Sequence, residues 1–562
     1  MSITRRRFSR MVAAGMAAPA LSFVARATAQ PAADPPAKKP GAARRKALPP
    51  AGEGETARPR RVGEGARLGI NLAGPADYNC ELPFIDVFRF SREWISQQEG
   101  KGFGEGPKLE LDAHGWVKKM PPGVRAESYL CTVPSVPSGQ WTVLWDGKGE
   151  IEMWGPALQN QRKAGPKQLV FNTKRGGSEG FVLRLMKTDP SDPVRNIRVL
   201  MPGFSGSRLK DEPWNPRFLA RWQGISCLRF MDFQATNNSK QEKWADRPQL
   251  DDVTWAERGV PLELMIDLAN RLGADPWFCM PHLVDDDYAK QFAKMVNDKL
   301  DKNLKVYVEY ANEVWNGMFG QAQYANQQGV KAKLANAVGM ESNTRFYGQR
   351  ATQMFRQFER AIEGKGRLVR VLGSQAANSY FADQICSFQG TGKRADALAI
   401  APYISVNVHG EGNSEPRAAD VANWTLDQLF DYVEKTALPE CIEWMKANKK
   451  IADKHGLKLV AYEAGQHFVG VLGGENNHQV TRLLHQANRD PRMGDIYRRY
   501  YQAWASAGGD LICHFSSVAG YSKWGSWGLL ESWDSDPRRS PKFVETMKWA
   551  KERGQEVTVP EV

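Results

Sequence analysis

Two glutamates stand where a carboxylate is expensive to keep. Glu313 follows the run Val306-Tyr307-Val308-Glu309-Tyr310-Ala311-Asn312, and Glu463 closes Leu459-Val460-Ala461-Tyr462. A charge at the end of an apolar run loses hydration unless it is paired or used, which makes both positions candidates for chemistry. Glycoside hydrolysis is one reaction that needs two such groups: a protonated one assists the leaving oxygen, and an ionised one attacks the anomeric carbon. For double displacement the two stand about 5 to 5.5 Å apart. Asn312, beside the expected acid, can hydrogen-bond a sugar hydroxyl, a contact that strengthens in the transition state. A cation or hydroxyl donor lowers a carboxylate's affinity for protons and bare burial raises it, so two glutamates can be driven to opposite protonation states. The alternative is that each belongs to a structural ion pair; their joint occurrence, with Asn312 before one of them, weighs against it.

The elements that must position these residues follow from periodicity. After Gly224 the chain repeats apolar strand, loop and amphipathic helix, with strands expected at Cys227 to Asp232, Trp277 to Pro281, Val306 to Tyr310, Arg370 to Gly373, Ala397 to Tyr403, Leu459 to Glu463 and Leu511 to Phe515. Leu68 to Leu72 makes the eighth. Tyr288, Phe292, Met295, Val296 and Leu300 form one helical stripe, and Tyr347, Ala351, Phe355, Phe358 and Ile362 another. Eight such units close into a parallel (β/α)8 TIM barrel, an α/β fold whose chemistry collects at the carboxyl ends of the strands. An open doubly wound sheet is the alternative, but no glycine-rich phosphate loop follows an early strand. Between about 101 and 203 the runs shorten to β-type alternation, as in Gln140 to Trp145, Glu150 to Trp154 and Gly180 to Leu185. These predict an inserted small β-sandwich, with Trp141, Trp145 and Trp154 in its core. The barrel then occupies 67–100 and 204–552, followed by a tail at 553–562.

The Asn312-Glu313 pair ending one strand, with Glu463 ending a strand three units later, resembles the signature of the (β/α)8 retaining glycoside hydrolase superfamily, which holds cellulases, mannanases, xylanases and related β-glycosidases. The resemblance covers roughly 68–72 and 224–531, and Tyr310 to Asn316 is also similar to an exported bacterial subgroup loosely described as cellulose-binding. It implies Glu313 as general acid/base and Glu463 as nucleophile. It further implies that Arg229 keeps Glu463 ionised, that Tyr403 hydrogen-bonds the same carboxylate, and that Trp527 floors the sugar site. The inserted sandwich departs from a minimal barrel, so the sugar is not carried over from the cellulases.

Other features have plainer uses. His282-Leu283-Val284-Asp285-Asp286-Asp287 could be drawn as a metal site, yet aspartates here suit the start of the next helix, and no metal or other cofactor is expected. His282 closes the third strand and is a candidate sugar contact. Trp524 and Trp527 lie in a Gly/Ser-rich loop, where Trp527 suits stacking on a sugar face.

Thr4-Arg5-Arg6-Arg7-Phe8, the apolar stretch Met11 to Val24 and Ala27-Thr28-Ala29 look like a twin-arginine export signal over 1–29, implying a periplasmic or extracellular protein. Residues 30–66, rich in Pro, Ala and basic side chains, read as a disordered linker suited to weak attachment at an anionic surface. Of the net charge of +13, nine lie before residue 67, so the globular part is nearly balanced and nucleic acid is not an expected partner. The 7 cysteines show no CxxC spacing, which gives no zinc ribbon. The expected function is an exported retaining glycosidase with a carbohydrate substrate; the alternative is a non-catalytic carbohydrate-binding protein on the same barrel, serving an exopolysaccharide system.

Overall fold

A computed structural model describes residues 65–174, 179–412 and 414–561. The expected export signal and nearly all of the expected linker lie outside these. Eight parallel strands close into a TIM barrel in chain order: Arg67–Asn71, Cys227–Arg229, Asp275–Met280, Val306–Tyr310, Leu368–Gly373, Ala397–Ile400, Lys458–Ala461 and Leu511–His514. Every expected run supplies one of them. The helix Asp286–Lys299 buries Tyr288, Phe292 and Val296, and the helix Met340–Ala361 buries Tyr347, Ala351, Phe355 and Phe358, so both stripes face inward. Asp285 caps the first of these helices by accepting the Tyr288 N–H at 2.8 Å.

The barrel interior is filled by side chains of unequal size. Trp277 stacks on Tyr307 with ring centroids 5.5 Å apart, opposite the small residues Ala397 and Ala399. Gly69 pairs with Cys227 on one side and Cys513 on the other, and both side chains crowd the space beside it. A Cβ there would meet Cys513 Sγ at 2.7 Å and Cys227 Cβ at 3.0 Å.

Several strands stop short of their expected ends, and the stops place the site. The second ends at Arg229 and turns, with Gln234 N–H donating to Phe230 C=O at 2.7 Å, so Asp232 sits in a turn. The third ends at Met280, before Pro281, which has no N–H for the ladder. The sixth ends at Ile400 rather than Tyr403, because Pro402 interrupts it and Tyr403 N–H closes a three-residue turn on Ala401 C=O at 2.9 Å. Beyond the break, Ile404–His409 pairs in parallel with Gln466–Val471, which continues the seventh strand after a similar gap.

The segment after the first strand forms two four-stranded antiparallel sheets. Their first strand, Ile95–Gln98, precedes the expected boundary at 101, and their last is Arg195–Leu200. Trp141 and Trp145 are in the sandwich core, but Trp154 is 53% exposed. The alternation of Gly149–Trp154 turns Ile151 and Met153 inward and therefore Trp154 outward, where the Arg184 guanidinium lies 5.2 Å from its ring. Arg89 ties the insert to the barrel: its guanidinium sits 5.9 Å from Trp116 of the insert and 5.6 Å from Trp255, and it donates to Asp252 C=O at 2.7 Å. Among the described residues, no helix is long and apolar enough to cross a membrane.

Candidate active site

Glu313 follows the fourth strand in a contorted segment. Ala311 and Glu313 have φ of +54° and +41°, a left-handed conformation that costs a non-glycine residue about 1 kcal/mol or more. Surrounding bonds hold it: Ala311 N–H donates to Met280 C=O at 3.0 Å, and Asn316 N–H to Glu313 C=O at 2.8 Å. The Glu313 carboxylate is partly buried and accepts from the Tyr462 hydroxyl at 3.0 Å and the Asn316 amide at 2.9 Å. Burial pushes it up to about 7 and the Glu463 charge adds to the rise, while the Asn316 and Tyr462 bonds pull the other way.

Glu463 lies in the gap between the seventh strand and its continuation. Arg229 Nη1 reaches its Oε1 at 3.0 Å, and the Tyr403 hydroxyl donates to its Oε2 at 2.9 Å. Burial pushes this carboxyl up too, opposed by the Arg229 charge and by both hydrogen bonds. Direct contacts thus separate the pair: Glu463 touches a guanidinium and a phenol, whereas Glu313 touches only neutral donors. These contacts favour the ionised form on Glu463 and the protonated form on Glu313. Gly465 makes the turn after Glu463 with φ +119°, and a Cβ there would meet the His514 ring at 2.5 Å.

Arg229 is fully buried and also holds Glu309 at 3.1 Å, Asn71 at 3.0 Å and Asn312 at 2.8 Å. Asn312 passes the link on, donating to Asn237 Oδ1 at 3.1 Å. Trp527 packs edge-on against Tyr403 at 5.9 Å and His467 at 4.7 Å, beside the expected nucleophile. The structure therefore brings together Glu313, Glu463, Asn312, Arg229, Tyr403 and Trp527. His282 stands apart from both glutamates' hydrogen bonds: its buried ring is edge-on to Tyr324 at 5.4 Å, its Nδ1 has no hydrogen-bond partner, and burial pushes it down to about 4.

Five participants were not anticipated. Glu309 is the second carboxylate on Arg229, signalled in sequence by a charge inside the apolar strand Val306–Tyr310. Tyr462 and Asn316 hold Glu313, and no local pattern marks them. His467 lodges against Trp527 and bonds Asn407 Oδ1 through Nδ1 at 2.7 Å; burial pushes it down to about 4, so it is neutral at pH 7. Asp232 is a third acid near Glu463, raised to about 7 by burial and by the Glu463 charge against the pull of Arg229. Among the described residues, one group has metal-ligand spacing: His114, Asp251 and Asp252, on the seam between insert and barrel. There each ring nitrogen lies 3.2 Å from one carboxylate, and Asp252 is also held by Arg258 at 2.8 Å.

No protein-family model matches the chain, and no curated protein matches it in sequence. Among solved structures it is similar to a 4-O-α-L-rhamnosyl-β-D-glucuronidase from Fusarium oxysporum, with 10% identity, 59% of this chain and 62% of that one covered, and a TM-score of 0.34. It is also similar to an endo-β-1,4-mannanase from Thermotoga petrophila, with 12% identity, 61% and 74% covered, and a TM-score of 0.32. A family 1 β-glucosidase from Thermotoga maritima shows 11% identity, 60% and 84% covered, and a TM-score of 0.32. The chain spans less than two thirds of the first of these, and at such scores none carries an activity or a substrate over to it.

Proposed function

We propose that this protein is an exported retaining β-glycosidase acting on a polysaccharide or oligosaccharide by double displacement. The observation that carries the reading is the unequal setting of two glutamates at one barrel mouth: Arg229 and Tyr403 on Glu463, neutral donors alone on Glu313. Glu463 attacks the anomeric carbon while Glu313 protonates the departing oxygen, giving a glycosyl ester. Glu313, now ionised, takes a proton from water as that water attacks the same carbon and frees Glu463. Asn312 has one N–H left for a sugar hydroxyl after its bond to Asn237, and Trp527 offers a ring face to the sugar, whereas the buried His282, packed on Tyr324, does not support the expected sugar contact. The chemistry needs no metal. Export by the twin-arginine route accords with seven buried free cysteines, since that route carries folded proteins and asks for no disulfide framework.

Glu463→Gln tests the assignment against a panel of β-linked glycans. Hydrolysis is expected to fall by about a thousandfold or more with the circular dichroism spectrum retained. Turnover at the parent rate would refute it, and a parent protein that binds glycans yet releases no reducing ends would leave the barrel as a carbohydrate-binding scaffold.

A further inference from the structure

The loop that leaves the first barrel strand passes the site before it enters the insert. A Cβ on Gly74 would lie 3.1 Å from the Asp232 carbonyl oxygen, so this loop runs directly over the turn that carries Asp232. Four residues on, Tyr78 is 66% exposed and stands next in sequence to Asp77. Arg92 bonds Asp77 at 2.8 Å and lays its guanidinium 5.2 Å from the ring of Tyr129 on the insert. Tyr129 in turn meets the edge of Phe103 at 6.3 Å, and Phe103 is 68% exposed. Single exposed aromatics are ordinary on a protein surface. Here Arg92 ties Asp77, the neighbour of Tyr78, to Tyr129 and through it to Phe103, in a row that begins on the loop crossing the Asp232 turn.

The line is also rigidly mounted. Thr132 N–H donates to Asp77 C=O at 2.7 Å, and Arg92 N–H to Tyr129 C=O at 2.9 Å, which fastens the loop to the sandwich. Phe103 sits in a tight turn closed by Glu105 N–H on Gly102 C=O at 3.1 Å and tied to the first sandwich strand by Gly106 N–H on Ser96 C=O at 3.1 Å. Exposed ring faces held by backbone bonds lose little entropy when they bind, and they suit the C–H faces of successive sugars.

We infer that the inserted sandwich extends the substrate cleft: a β-linked polysaccharide chain leaves the barrel mouth past Asp232 and Tyr78 and lies along Tyr129 and Phe103, with Arg92 hydrogen-bonding its hydroxyls. The occupant follows from continuity with the proposed glycosidase site, on which this inference rests. It gives the insert a role, and it makes the enzyme one that grips long chains rather than short ones.

The test uses the full protein and Tyr78→Ala, Phe103→Ala and the double variant, with circular dichroism to verify folding. The first readout is retardation in native gels cast with carboxymethyl cellulose, glucomannan, xylan or β-1,3-glucan, which reports binding whether or not the protein hydrolyses anything. The second is the ratio of kcat/KM on the retarding polysaccharide to kcat/KM on an aryl β-glycoside of the same sugar. Parent retardation that the double variant loses, with the ratio falling about tenfold, is expected. Damage to the fold would lower both rates together and leave the ratio alone. Retardation equal to the parent's, an unchanged ratio in an active enzyme, or a parent that none of the gels retards would overturn the inference. Loss of retardation in a protein without hydrolytic activity would uphold the shelf and overturn the glycosidase reading.

Discussion

Arg229 has five N–H groups, and all of them are used: one to Glu463, one to Asn71, one to Asn312 and two directed at Glu309. A lysine could not make that fork, and an apolar residue would leave two buried carboxylates without their cation. The consequence at Glu313 is thermodynamic as well as catalytic. Its folded value of about 7 lies above the ordinary 4.5, so folding favours the protonated form. The resulting stabilisation is complete below the unfolded value and is lost as pH rises through about 7. The basic limb of kcat/KM is therefore expected near pH 7, and Glu313→Gln is expected to lack that limb on substrates with activated leaving groups. At pH 8 the same variant is expected to be more stable by about 1 to 3 kcal/mol, discounted for the carboxyl's contact with solvent, with the gain vanishing toward pH 4. Rate profiles and thermal unfolding across pH read both; a Glu313→Gln protein no more stable at pH 8 than at pH 4 would contradict the burial argument. Glu313 and Glu463 stood out because each follows an apolar strand, where chemistry gathers in a barrel, whereas Arg229 and Tyr403 entered through the family resemblance. Tyr462, His467 and Asp232 did not, because their contacts arise only when distant segments meet, and Asn316 did not, because its bond to Glu313 three residues earlier depends on the left-handed turn between strand and helix.

At the scale of elements, the site depends on strands that stop early. The breaks after Ile400 and Ala461 lift Tyr403 and Glu463 out of the ladder, and the short parallel pair beyond them holds the lifted backbone on both sides. Sequence gave the apolar middles of these strands but not their ends, since Pro402 forbids a ladder bond without saying where pairing resumes. Gly69 shows a different constraint: it leaves room for the Cys513 thiol and the Cys227 side chain from neighbouring strands. Gly69→Ala is expected to destabilise the protein by about 1 to 3 kcal/mol. Adding Cys513→Ala to it is expected to recover part of the loss, because the two changes share one space. Thermal unfolding of the single and double variants measures this, and equal melting of Gly69→Ala and the parent would show that the barrel interior gives way.

At the scale of the whole molecule, a barrel and an inserted sandwich share one chain that crosses between them twice. The eight-strand barrel was legible from repeated strand and helix periods. The edge of the insert was less so, because Ile95–Gln98 belongs to a sandwich sheet although it precedes the change in pattern. Trp154 was misplaced for a related reason: composition marks a tryptophan as core, while alternation along the strand decides which face it takes. All seven cysteines are buried and free, so melting is expected at the same temperature with and without a thiol reductant; a drop on reduction would reveal a disulfide. The account as a whole stands on Glu463 attacking carbon while Glu313 handles the proton. Proton NMR of the first-formed sugar, recorded before mutarotation on any β-glycoside the protein cleaves, tests that most directly. The β-anomer is the expected product; a first-formed α-anomer would mean a single displacement by water and would contradict the account.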